Sequence, residues 1–279
     1  MKAATSDYGI GVALLLASAL TFSSAGLFTK GEIAGAWAVI FWRGLFAAIF
    51  TTLWTAQQGT FKENFFAMGR SGWAVGVIGA VGTACFIPAF KLTSIANVAL
   101  IYAASPLIAG MLAWIFIGER ASRATIIGAL MAMVGVAIIV SGSLGQSNLQ
   151  GDVLALIMTL VMAGVMVIYR ARPETPGAGP SVMQSLFLLP PSFLLGQPLQ
   201  TDPTEILILM AFGILFAVAS VTLAEGAKRV PSGQTALLSS LETPLAPILA
   251  FLVLAEVPST ATFLGGTVVL LAALMSLRS

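Results

Sequence analysis

Glu242 stands about ten residues into the apolar run 232–254 and two before Pro244, deeper in such a run than any other acidic residue of the chain. A carboxylate at bilayer depth is costly unless paired, hydrated or protonated, which makes Glu242 a candidate to bind a substrate amine or to exchange a proton. The competing reading is a structural carboxylate that satisfies backbone donors freed by Pro244. Thr235, Ser239 and Glu242 follow i, i+4, i+7 spacing. On one helix they would share a face, lining a cavity or bonding across helices. Arg43, between Trp42 and Gly44, could hold a carboxylate bidentately. The alternative, favoured by Trp37 and Trp42 nearby, is an arginine that snorkels to the membrane interface. Tyr102 lies in the middle of its run, one turn from Ser105 and close to Pro106, where a phenol needs a polar partner or a hydrated cavity. Tyr8 and Tyr169 fall at the ends of runs and read as interfacial anchors. Asn97 and Ser105 complete the candidate cavity residues, with packing the favoured role for Asn97. Pro88, Pro106 and Pro244 are candidate hinges, because proline removes a backbone donor and clashes one turn back.

Other chemistry is excluded by what the sequence omits. It has no histidine, which removes histidine proton relays, catalytic triads and the commonest zinc ligand sets. No metal site, cofactor or paired carboxylates for acid/base work are expected. Cys85 is the only cysteine and cannot form an intrachain disulfide. A net charge of +2 gives no support for nucleic-acid binding.

The elements that must position these residues follow from composition. With 58% hydrophobic and 9% charged residues and a mean hydropathy of +0.99, the chain is outside the range of soluble domains. It reads as an all-α integral membrane protein. A helical crossing needs roughly 20 apolar residues, and such stretches lie near 8–29, 35–56, 70–90, 94–117, 122–142, 150–169, 181–199, 204–224, 232–254 and 259–277. These ten expected spans nearly exhaust the chain. The first reads as a retained helix, since no convincing cleavage site follows it.

An internal repeat organises the spans. Lys91 to Gly128 recurs as Arg229 to Gly265, setting Ser94 on Ser232, Ser105 on Thr243, Pro106 on Pro244, Glu119 on Glu256 and Ser122 on Ser259. Gly11 to Lys30 falls likewise on Gly151 to Arg170. Two five-helix halves are expected, residues 1–145 and 146–279, and an odd number of spans per half means the second inserts inverted. Charge agrees. With both termini cytoplasmic, Lys2, Lys62, Arg70, Arg120, Arg123, Arg170, Arg172, Lys228, Arg229 and Arg278 lie on that side, against Lys30 and Lys91 outside, the bias that positive residues impose on cytoplasmic loops. Ser122 and Ser259 read as helix N-caps, and Glu119 and Glu256 as carboxylates that support those helix starts. Gly128, Ala132, Gly135 and Gly142 give one helix a small-residue face, suited to packing within the bundle or against a second copy.

Two five-helix units, each with Ser105-Pro106-Leu107 or Thr243-Pro244-Leu245 within its fourth helix, an apolar run ending at Glu119 or Glu256, and Gly128 or Gly265 early in its fifth, resemble the EamA-type drug/metabolite transporter superfamily. Within it the chain looks most like the amino-acid exporters of the YddG type. The resemblance implies a secondary transporter in the cytoplasmic membrane, exporting amino acids or related metabolites by alternating access, with a small-molecule substrate and the lipid bilayer as partners. Drugs or other metabolites are the alternative cargo, and an intramembrane enzyme or channel a remote one. Repeated halves with a site at their interface are a common transporter construction. No GxxxxGK[ST] motif is present, so ATP is not expected to drive transport within this chain.

Overall fold

The computed structural model describes residues 2–24, 35–93, 95–141, 148–254 and 259–277. All regular elements among them are helical: α1 (Lys2–Ser23), α2 (Ala36–Gln57), α3 (Phe61–Phe65), α4 (Gly69–Leu92), α5 (Ile95–Tyr102), α6 (Ser105–Ile117), α7 (Arg123–Val140), α8 (Leu149–Ala171), α9 (Ala178–Gly196), α10 (Pro203–Ala227), α11 (Ser232–Ser239), α12 (Glu242–Leu254) and α13 (Thr260–Ser276), with a 3-10 turn at Pro198–Gln200. Local chemistry sets their ends. Ser122 accepts from the Thr125 N–H at 3.0 Å and Ser259 from the Thr262 N–H at 3.2 Å, so both expected caps form. Asp202 and Asn148 cap α10 and α8. Gly118 closes α6 at φ +68°, a left-handed conformation that glycine adopts without steric cost.

Among the described residues seven stretches are long and apolar enough to cross a membrane: Ala36–Gln57, Gly69–Ala89, Asn97–Ile117, Arg123–Val140, Leu149–Ala171, Pro203–Ala227 and Ser232–Val253. The other three expected spans coincide with α1, α9 and α13. Asp7–Ser23 and Thr260–Ser276 are apolar but shorter, and α9 carries Gln184, Pro190, Pro191 and three serines, which lower its hydropathy.

The fourth and ninth stretches are each two helices. α5 stops at Tyr102 and α6 begins at Ser105; α11 stops at Ser239 and α12 begins at Glu242. Pro106 therefore lies in the first turn of α6, where its missing N–H has no helical acceptor to lose. Pro244 also lies in the first turn of its helix, as the third residue of α12. Both read in the sequence as candidate breaks, and a helix starts beside each. Pro88 is inside α4.

Packing repeats with the sequence. α1 packs on α10 as its counterpart α8 packs on α4; α2 packs on α10 as α9 packs on α4; and the counterpart pairs α2 with α9 and α7 with α13 pack on each other. The α7 and α13 backbones meet closely. A Cβ on Gly135 would lie 2.7 Å from the Gly265 carbonyl oxygen, and one on Gly128 would lie 2.9 Å from the Ala272 carbonyl oxygen. The small-residue face is thus used inside the chain at Gly128 and Gly135, while Gly142 lies outside the described residues.

One counterpart pair breaks the pattern. α6 packs against α11, whereas α5 and α12, which the repeat sets in their place, pack much less on each other among the described residues. Around the packed pair lies an apolar core that includes Leu15, Ala19, Ala109, Val136, Met166, Leu223, Ala236 and Leu238.

Candidate functional site

Tyr102 and Glu242 sit at the two helix breaks, each at a half-helix end, Tyr102 last in α5 and Glu242 first in α12. Both side chains are half-buried. Glu242 makes no ion pair or hydrogen bond among the described residues, so its carboxylate is left for a ligand, water or a proton. Ser105, across the first break, is fully buried and its hydroxyl has no partner.

Three other candidates, Ser239, Asn97 and Arg43, have different surroundings. Ser239 donates its hydroxyl to the Thr235 carbonyl at 2.9 Å and Thr235 donates to the Val230 carbonyl at 3.2 Å. Both are buried, and because α11 ends at Ser239 the expected Thr235, Ser239, Glu242 stripe is not one helix face. Asn97 donates to Thr93 Oγ1 at 3.2 Å, and Thr93 donates to Asp152 at 2.7 Å. Those bonds staple α4, α5 and α8 together. Arg43 does not snorkel. It is 5% exposed, with its guanidinium 4.2 Å from the Phe216 ring and 5.4 Å from the Phe212 ring. Among the described residues it has no carboxylate or hydrogen-bond partner, and its Nε is buried without one. Trp42 beside it donates to the Pro198 carbonyl at 3.0 Å. Tyr169 is no interfacial anchor either, being 4% exposed in a cluster with Val75, Val165, Ala224 and Ala227.

A second polar cluster closes the face that carries the C-terminal ends of α6, α8, α10 and α13. Glu119 accepts from Arg170 Nε at 2.7 Å through one oxygen and from the Ser232 N–H at 2.8 Å through the other. Arg170 also donates to the Lys228 carbonyl at 3.3 Å. Arg229 bridges Asp7 and Glu225, each at 3.0 Å, and the Glu225 hydrogen bond holds its guanidinium above the usual arginine range. Tyr8 donates to Gln234 at 3.0 Å, and Gln234 to the Ser276 carbonyl at 2.6 Å. These bonds tie α1, α6, α8, α10, α11 and α13 into one floor. A cavity of about 370 Å³ lies at it, lined among others by Glu119, Arg120, Arg170, Arg229 and Gln234.

The model of the EamA-like transporter family matches the sequence twice, at residues 9–141 and 149–278. The chain belongs to the EamA-like transporter family. This EamA-like protein is therefore a membrane transporter of the drug/metabolite superfamily, with a small-molecule substrate and membrane lipid as its surroundings. A solved crystal structure, described in print only as that of a protein, is similar in fold: TM-score 0.82 at 20% identity, covering 98% of each chain. No curated protein matches the sequence.

In this EamA-like chain the sequence reading missed the floor. Glu119 was expected to support the start of α7; Ser122 does that alone, and Glu119 turns to partners 51 and 113 positions away. Glu256, its repeat counterpart, lies outside the described residues, as does Lys30; Lys91 is in α4, its side chain outside the description. The available signal was the repeat itself, which pairs Lys30 with Arg170 and Glu119 with Glu256. Among the described residues no cluster of His, Cys, Asp and Glu could hold a metal ion.

Proposed function

We propose that the protein is a secondary transporter that exports amino acids or related small metabolites across the cytoplasmic membrane by alternating access. Its two inverted five-span halves, residues 1–145 and 146–279, rock about a site at the helix breaks, and both termini are cytoplasmic. One observation carries this reading: among the described residues α6 packs on α11 far more extensively than the counterpart pair, α5 and α12, packs together. A two-fold-related pair packed on one side and loose on the other is what a carrier needs when only one side is open at a time. With the basic loops inside, the packed pair closes the cytoplasmic side and the present state faces outward.

The residues at hand suit a zwitterion. Glu242 offers an unpaired carboxylate for an amine, and Arg43 an unpaired guanidinium for a carboxylate. Tyr102 and Ser105 supply hydroxyls at the first break, Asn97 and Ser239 hold the flanking half-helices, and Pro88, Pro106 and Pro244 serve as hinge points. Drugs or other metabolites remain the alternative cargo. Energy comes from an ion gradient, with protons exchanging at Glu242, or from the substrate's own gradient.

Purified protein in liposomes tests the proposal with a panel of labelled amino acids and a parallel panel of lipophilic cations. Saturable counterflow of amino acids supports it. Counterflow of the cations alone transfers the assignment to drug export, and no counterflow of either refutes a carrier for both classes.

A further inference from the structure

We propose that Glu119 is the latch that holds the cytoplasmic side shut, so that its two bonds must break and reform in every transport cycle. The inference rests on the transporter reading and adds a residue and a bond set to it. Glu119 uses both carboxylate oxygens, and the two bonds run to different helices of the other half: Oε2 to Arg170 at the end of α8, Oε1 to the Ser232 N–H at the start of α11. It extends from α6, and α6 with α11 is the pair that packs far more extensively than its counterpart among the described residues. Parting α6 from α11 therefore separates Glu119 from the Ser232 N–H directly.

The composition of the contact suits reversible use. A carboxylate bonded to a guanidinium and a backbone N–H is charge-assisted and directional, yet the side chains of Arg170 and Glu119 keep 30% and 20% of their exposure beside the solvent-reaching cavity. Water can replace both bonds as they break, which avoids the penalty of stranding a buried charge. Immediately below, Ala109 and Ala236 are 0% exposed in the apolar core, and they stay dry while the latch is closed. The Arg229 bridge to Asp7 and Glu225 ties α1 to α10 and the start of α11, without reaching α6. The Gln234 bonds to Tyr8 and the Ser276 carbonyl join α1, α11 and α13.

The test uses the full chain in lipid nanodiscs, on a Cys85→Ala background, with one reporter cysteine at Ala109 in α6 or at Ala99 in α5, and a membrane-impermeant maleimide. Glu119→Gln keeps an acceptor for the Ser232 N–H and removes the ion pair. The expected result is an increase of roughly tenfold in the labelling rate at position 109, the equilibrium change for a charged hydrogen bond at its lower end because the pair is partly exposed, with slower labelling at position 99. An unchanged rate at 109, or a rise at both positions from general loosening, overturns the latch. Arg170→Lys, which keeps the charge but not the Nε–H geometry, gives the same readout in a smaller measure and decides the matter if Glu119→Gln does not yield monodisperse protein. Neither rate needs a substrate. A failed latch with intact flux leaves the transporter standing, and a confirmed latch in a protein that carries nothing refutes transport alone.

Discussion

Replacing Arg43 with methionine separates a binding role from a structural one. The guanidinium is 5% exposed, 4.2 Å from one phenylalanine ring and 5.4 Å from another, with no carboxylate among the described residues. Each ring contact stabilises a desolvated cation by up to about 2 kcal/mol. Against that stand an ion-desolvation penalty of several kcal/mol after relaxation and about 1–3 kcal/mol for the unpartnered Nε donor. The penalties exceed the gains, so an apolar side chain of similar length in the same slot should leave the fold equally stable or more stable, by about 1–4 kcal/mol. Transport should move the other way. A substrate carboxylate that loses a charged hydrogen-bond donor forfeits about 1.5–3 kcal/mol, or roughly tenfold to a hundredfold in transport efficiency. Thermal unfolding in detergent and counterflow in liposomes, run on the same preparation, give both numbers. A melting temperature equal to or above wild type with flux down at least tenfold fits the reasoning. A destabilised protein with normal flux would refute it and make Arg43 a packing residue between α2 and α10.

Gly135→Ala should destabilise the bundle by about 1–3 kcal/mol, because the added Cβ meets the Gly265 backbone at 2.7 Å and backbone cannot yield as a side-chain tip can. Gly164→Ala, with nothing within 4 Å, should be neutral or stabilising by up to about 1 kcal/mol; thermal unfolding of the pair checks both. Glu242→Gln should abolish the response of flux to an imposed pH gradient and weaken counterflow by roughly tenfold, because the substrate amine loses its carboxylate; spared counterflow would make Glu242 a coupling residue with no part in binding.

The sequence made the helices legible because apolar length is a local property, and it made the repeat legible because Pro106, Glu119 and Ser122 recur in register with Pro244, Glu256 and Ser259. Ser122 and Ser259 cap as expected for the same reason: the acceptor and the N–H it serves are three residues apart. Pro106 and Pro244 marked candidate breaks but did not show that the helices stop at positions 103–104 and 240–241. Hydropathy runs straight through them, and a proline in the first turn of a new helix looks in sequence like one that bends an old helix. Spacing also suggested the stripe through Thr235, Ser239 and Glu242, which presupposes an unbroken helix. Glu119 shows the other limit, since its partners come from α8 and α11 and only the packing of the two halves brings them together. Arg43 was misread for a related reason: the phenylalanines that enclose it belong to α10, far along the chain.

Alternating access is tested most directly by two distances measured together by pulsed electron resonance in liposomes, one between spin labels on α6 and α11 and one between labels on α5 and α12. In the absence of substrate the first should be shorter than the second, in keeping with the more extensive packing of α6 on α11. Adding a transported amino acid should lengthen the first in a fraction of molecules and shorten the second in the same fraction. Two distances that stay fixed in a protein with measurable counterflow, or that lengthen together, would contradict the account.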